Sequence, residues 1–108
     1  MANTFKRFTY NNVPTTLTPV YTVPAATKAV VIGGVVSNTA SGVTVDTTVV
    51  VYDGTAEISL TGTDTPIPSG TALSFVDGKI VLHAGDAIRI KSSAANSLDT
   101  LVSVMEIT

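Results

Sequence analysis

The sequence predicts an all-β fold: a single antiparallel β-sandwich, jelly-roll or immunoglobulin-like, of about eight or nine short strands behind an extended N-terminal arm. Three observations lead there. Of the 108 residues, 41 are Thr, Val or Ile, and β-branched side chains suit a pleated strand better than a helix. No window places apolar residues at a 3.6-residue period. Turn signals made of Gly, Pro, Asn and Asp recur roughly every 8 to 12 residues, which is sandwich spacing. A chain of 108 residues bounds this to one domain whose core hides roughly two thirds of the unfolded surface.

The elements follow in order. Residues 1–24 read as an arm with edge strands, and residues 25–108 as the sandwich domain. The arm holds Phe5, Phe8, Tyr10 and Tyr21, four of the six aromatics, interrupted by Pro14, Pro19 and Pro24. Proline cannot donate to a ladder and pushes its predecessor toward extended geometry, so short edge strands near Phe5–Tyr10 and Leu17–Val23 are expected, and no long central one. Lys28–Asn38 is an apolar strand whose Gly33-Gly34 pair indicates a bulge or a close backbone contact. After a turn at Asn38–Gly42, Val43, Val45, Thr47, Val49 and Val51 alternate with a wetter set of residues, the period-2 signature of a strand. Asp53-Gly54 turns into a short strand at Ala56–Leu60, and the prolines and glycine of TGTDTPIPSG are expected to bar a regular ladder. Ala72–Val76 and Lys79–His83 should then form a hairpin across Asp77-Gly78. Ala84-Gly85-Asp86 should continue the meander by turning that strand into Ala87–Ser92 beside it, and a loop at Ser93–Ser97 leads into Leu98–Ile107. The expected core is Val30, Ile32, Val35, Val45, Val49, Val51, Leu73, Phe75, Ile80, Leu82, Ile88, Ile90, Val102 and Val104.

Composition excludes several function classes. Net charge is −2, and no basic run exceeds Lys6-Arg7, whereas a nucleic-acid surface needs clustered positive charge to displace counterions from phosphates. With no cysteine there is no disulfide framework, thiolate nucleophile or Cys-based metal site. The N-terminus lacks an apolar signal-peptide core and no stretch reaches the ~20 apolar residues that span a bilayer, so the expectation is a chain made and kept in a soluble compartment. His83 is the only histidine. No strained nucleophile turn accompanies it, so a Ser-His-Asp triad is not expected and His83 reads as a strand-end residue. Asp46, Asp53, Asp64, Asp77, Asp86 and Asp99 fall about one per turn or strand, without the clustering that Ca²⁺ ligation needs. No catalytic residue, metal or cofactor is therefore expected. A sugar-binding module would display aromatic platforms, and Trp is 0.

The surface is the informative anomaly. Charged residues make up 13% of the chain, about half the usual ~25%. Neutral surfaces and unpaired strand edges invite association, so a permanent assembly that covers them is expected. Phe5, Phe8, Tyr10 and Tyr21 are the expected intersubunit contact, because aromatic side chains on an extended segment are frequent interface anchors. The competing arrangement makes Phe5, Phe8 and Tyr10 the first strand of the protein's own sandwich.

The runs TVPAATKAVVIGGVVSNTASGVTVDTTVVVYDG and PIPSGTALSFVDGKIVLHAGDAIRIKSSAANSLDTLVSVMEIT carry a Thr- and Val-rich strand pair, a Pro-Gly loop, a glycine-led hairpin at Asp77-Gly78, the AGD-x-I-x pattern at Ala84–Lys91 and a final acidic-apolar strand. Over about Tyr10–Thr108 this resembles small virion structural proteins of tailed bacteriophages. The resemblance implies a non-enzymatic homo-oligomer on the particle, a capsid decoration or cement protein made in the host cytoplasm. Its partners would be copies of itself and other virion proteins, the major capsid protein being one candidate, with neither nucleic acid nor membrane involved. The alternatives are a neck, tail or baseplate component, or a receptor- or carbohydrate-binding sandwich.

Overall fold

The computed structural model describes residues 2–108, so the first residue of the expected arm lies outside the described residues. Ten strands follow in chain order: β1 (Asn3–Tyr10), β2 (Thr18–Thr22), β3 (Lys28–Asn38), β4 (Val45–Tyr52), β5 (Glu57–Ser59), β6 (Thr65–Ile67), β7 (Ala72–Ser74), β8 (Ile80–Leu82), β9 (Ala87–Ser92) and β10 (Leu98–Ile107). No helix occurs among the described residues. The strands form two antiparallel sheets, β1-β10-β3-β7 with β8 also on β3, and β2-β9-β4-β5 with β6 also on β4. The all-β sandwich is therefore as the composition predicts.

Two edges are split. Along β3, β7 lies opposite residues 35–37 and β8 opposite 29–31. Along β4, β5 lies opposite residues 50–52 and β6 opposite 45–47. With each split pair taken as one position, both sheets have four positions, and the chain fills them in the order of two interlocked Greek keys. That is the jelly roll, the first of the two sandwich types expected.

Three local expectations are corrected by this topology. Ala72–Val76 and Lys79–His83 do not form a hairpin, since β7 and β8 both run antiparallel to β3 and continue one another along it. Phe75 is the reason: its N–H donates to the Gly34 carbonyl at 3.1 Å, and a Cβ on Gly34 would stand 2.5 Å from the Phe75 ring. The ring thus sits where the glycine leaves space, and Asp77-Gly78 loops outward instead of reversing the chain. The Ala84–Asp86 turn carries the chain from one sheet to the other. The proline-rich loop does hold a short ladder, with Pro66 opposite Asp46, on an edge where its missing N–H is harmless.

The core lies between the sheets. Of the predicted members, Val45, Val49, Phe75, Leu82, Ile88, Ile90, Val102 and Val104 are buried, and Val51, Leu73 and Ile80 pack against them. Val30, Ile32 and Val35 are not core residues. The register between β3 and β10 slips between Ser103 and Val104, where Val31 and Gly33 are matched and Ile32 is left over. That bulge inverts the alternation, so Ala29 and Val31 face inward before it and Val36 and Asn38 after it. A one-residue slip moves side chains to the opposite face. Val13, Tyr21, Val23, Ile67 and Leu98 complete the interior.

The segment expected as an arm is built into the sandwich. β1 pairs with β10 over residues 3–10, and β2 pairs with β9, so the segment provides one edge strand to each sheet. Val13 and Val23, from its connecting stretches, are buried with the rest of the core.

Candidate functional site

The candidate site is the outer face of the β1-β10-β3-β7/β8 sheet. Directly opposed residues in an antiparallel ladder share a face. The register therefore sets Phe5, Met105, Val30 and Val81 side by side, one from each strand position. Phe5 is 72% exposed, Val81 61% and Ile32, at the bulge, 43%. Four residues along β10, a second row reads Thr9, Leu101, Val35 and Ser74. Between the two rows, Arg7, Ser103 and Gly33 are matched, and open space lies where Gly33 would carry a side chain. A shallow groove of about 470 Å³ follows this low row, bordered by Phe5, Arg7, Ile32 and Ser103 among others.

β10 explains how the face arises. Its side chains alternate strictly, with Leu98, Thr100, Val102, Val104 and Glu106 buried and Asp99, Leu101, Ser103, Met105 and Ile107 half-buried. Apolar residues thus occupy both phases. Charge is confined to the margins and ends of the face: Lys28 lies opposite Ile107 at one end, Asp99 opposite Ser37 at the other, and Arg7 on the β1 edge.

The outer face of the other sheet is built differently. Arg89 lies between Pro19 and Val50, donates to Glu57 Oε2 at 3.3 Å and holds its guanidinium 4.0 Å from the centre of the Tyr52 ring. Lys91 lies beside Thr48, Ala87 beside Tyr52, and Ser59 beside Val50.

The four aromatics singled out from sequence separate. Phe5 stands on the exposed apolar face. Phe8 is half-buried and packs on Tyr21 with ring centres 4.5 Å apart. Tyr10, at the end of β1, is half-buried. Tyr21 is corrected from contact residue to core residue: it is 3% exposed, and its phenol donates to Glu106 Oε2 at 2.6 Å. Glu106 Oε1 receives Lys6 Nζ at 2.9 Å. Burial, and then the bond to Glu106, raise the Tyr21 phenol well above its usual range. The bonds from Tyr21 and Lys6 hold the Glu106 carboxyl below the usual carboxylate range despite its burial. This triad ties the edge strands of both sheets to β10. Its sequence signal was the phase of Glu106: an acid in step with buried Val102 and Val104 requires a partner.

The remaining candidates are dispersed. His83 is exposed beyond the end of β8, and its backbone N–H donates to Asp86 Oδ2 at 2.9 Å. Asp53 accepts from the N–H groups of Ala56 at 2.8 Å and Thr55 at 2.9 Å, which lowers its pKa. Asp99 accepts from Asn11 and Asn12, both at 2.9 Å. Among the described residues, no group of three His, Asp or Glu side chains is placed to hold a metal ion. Among the described residues, these titratable groups lie apart and the exposed feature is the apolar row of Phe5, Met105, Val30 and Val81.

No protein-family model matches the chain, and no curated protein matches it. Among solved structures, a chain from Bacillus endospore appendages, described as a novel family of disulfide-linked pili, is similar. The likeness covers 99% of this chain and 87% of that one, with a TM-score of 0.56 and 17% identity. It shows the fold, a β-sandwich used there in a pilus.

Proposed function

We propose that this chain is a non-enzymatic structural subunit that assembles with copies of itself on a virion, as a capsid decoration or cement protein of a tailed bacteriophage. The observation that carries the reading is the apolar outer face, where Phe5, Met105, Val30 and Val81 form an uninterrupted row on a chain of only 11.1 kDa. A small β domain gains nothing from such a face when alone, and large exposed apolar patches mark interaction sites. The jelly roll is a recurrent architecture of viral capsids, and the sequence pattern over Tyr10–Thr108 resembles phage virion proteins. The pilus neighbour supports the broader reading of an assembling subunit. Its disulfide linkage has no counterpart in this chain, which has no cysteine, so copies here associate by buried surface alone.

Mass spectrometry and immunogold labelling of particles purified from producing cells test the proposal. The expected result is the chain at high, fixed stoichiometry on the particle exterior. A protein that stays monomeric and is missing from every particle fraction overturns it.

A further inference from the structure

We infer that the outer face of the β1-β10-β3-β7/β8 sheet binds the same face of a second copy across a two-fold axis that runs over the row Arg7, Ser103 and Gly33. The inference rests on the assembly reading above and gives it a surface and a symmetry.

Self-recognition by a two-fold requires the face to complement itself, and its relief does so. A rotation about the Ser103 row lays the ridge of Met105 and Val30 from one copy over Leu101 and Val35 of the other, because along β10 those rows stand two residues to either side of Ser103. There the ridge meets a hollow of about 410 Å³ lined by Thr9, Tyr10, Val35, Asp99 and Leu101 among others. The charges agree with the same operation. Lys28 marks one end of the face and Asp99 with Ser37 the other, so the rotation sets Lys28 of each copy over the end that carries Asp99 in its mate. Arg7 lies on the axis row itself, so the two copies bring their Arg7 side chains together at the β1 edge, where each is exposed and long enough to turn its guanidinium into solvent.

The area suffices. Four strand positions about 4.8 Å apart, over about eight residues of about 3.3 Å each, give a footprint of roughly 500 Å² per copy. Two copies bury about 1,000 Å², the lower bound of a specific interface. The other outer face supplies no comparable surface, since Arg89 is already engaged with Glu57 and Tyr52.

The chain has no cysteine, so one introduced thiol reports on the axis. Ser103→Cys treated with a short bismaleimide should give a covalent dimer in high yield, whereas Ser59→Cys, on β5 of the other sheet, should give none. In sedimentation velocity, Val30→Lys and Val81→Lys should each reduce the mass to that of the single chain while melting stays unchanged. Lys28→Glu should raise the dimer dissociation constant about 10-fold, and adding Ser37→Lys should restore it. An oligomer that persists in Val30→Lys and Val81→Lys and leaves Ser103→Cys uncrosslinked overturns this surface while the assembly reading stands. A chain monomeric at every concentration overturns both. A crosslinked dimer that is missing from particles upholds the interface and removes the virion proposal.

Discussion

The outer face of the β2-β9-β4-β5/β6 sheet satisfies its own charges, with Arg89 held between Glu57 and Tyr52. The opposite face lays Phe5, Met105, Val30 and Val81 across all four strand positions without a charge among them. Both sheets close on one interior, so the difference does not serve folding. An apolar side chain turned outward gains less burial in the monomer than one turned inward, and under the proposed assembly the asymmetry marks the side of the sandwich that a second copy covers.

Four predictions break or sharpen that comparison. The largest effects should come from beneath the faces and be alike on both sides. Ile90→Ala in β9 and Leu98→Ala in β10 remove fully buried side chains, and each should cost about 2 to 5 kcal/mol in urea unfolding. A loss confined to one sheet would place the asymmetry in the core instead of on the surface. Next is Glu106→Ala, which leaves the buried Tyr21 phenol without its acceptor and should cost about 2 kcal/mol at neutral pH. The folded Glu106 carboxyl lies below its usual pKa, so its contribution is complete above about pH 4.3 and fades as pH falls through the lower folded value. The gap between wild type and variant should therefore narrow in acid; a gap that widens there would assign the stability to another group.

The third prediction pairs neighbours on one strand. Gly34→Ala meets the Phe75 ring and should cost about 1 to 3 kcal/mol by calorimetry. Gly33→Ala opens only onto the outer groove and should stay within about 0.5 kcal/mol in the monomer. Equal effects would contradict the bulge. Among the residues with a side chain to lose, the smallest effect is expected at Arg89→Ala, below about 1 kcal/mol and shrinking with added salt. Its association state in light scattering should match wild type, and dissociation would transfer the contact to the charged face.

The sequence was legible wherever local pattern and tertiary burial coincide. β4 alternates with period 2, and β9 and β10 have the bounds their turn signals indicate, because each pairs on both sides over most of its length. In β3 the glycine pair announced a bulge, but nothing local says which residue is extruded. Ile32 is the one, and Val30 and Val35 changed sides with it. Asp77-Gly78 carries strong hairpin chemistry, yet the distant Gly34 decides the outcome by admitting Phe75. The aromatics of residues 1–24 suggested a surface role as a group, and only the phase of Glu106 on β10, 85 residues after Tyr21, shows that one of them is interior. Three-residue strands such as β6 leave too few alternations to detect. The outer face itself was half visible: low charge announced a neutral surface, while its location needed the register of four strands.

One consequence of the topology is mechanical. β1 and β10 are neighbours, and Ala2 and Thr108 exchange backbone hydrogen bonds at 3.3 and 3.0 Å. Tension drawn between residues 2 and 108 therefore pulls across the ladder and opens it one rung at a time, starting at that corner. A load borne through the broad outer face meets every rung of β10 and β3 together. A particle held by that face would distribute strain over the whole sheet, while a tether at residue 2 or 108 could be peeled away with the sandwich interior still closed.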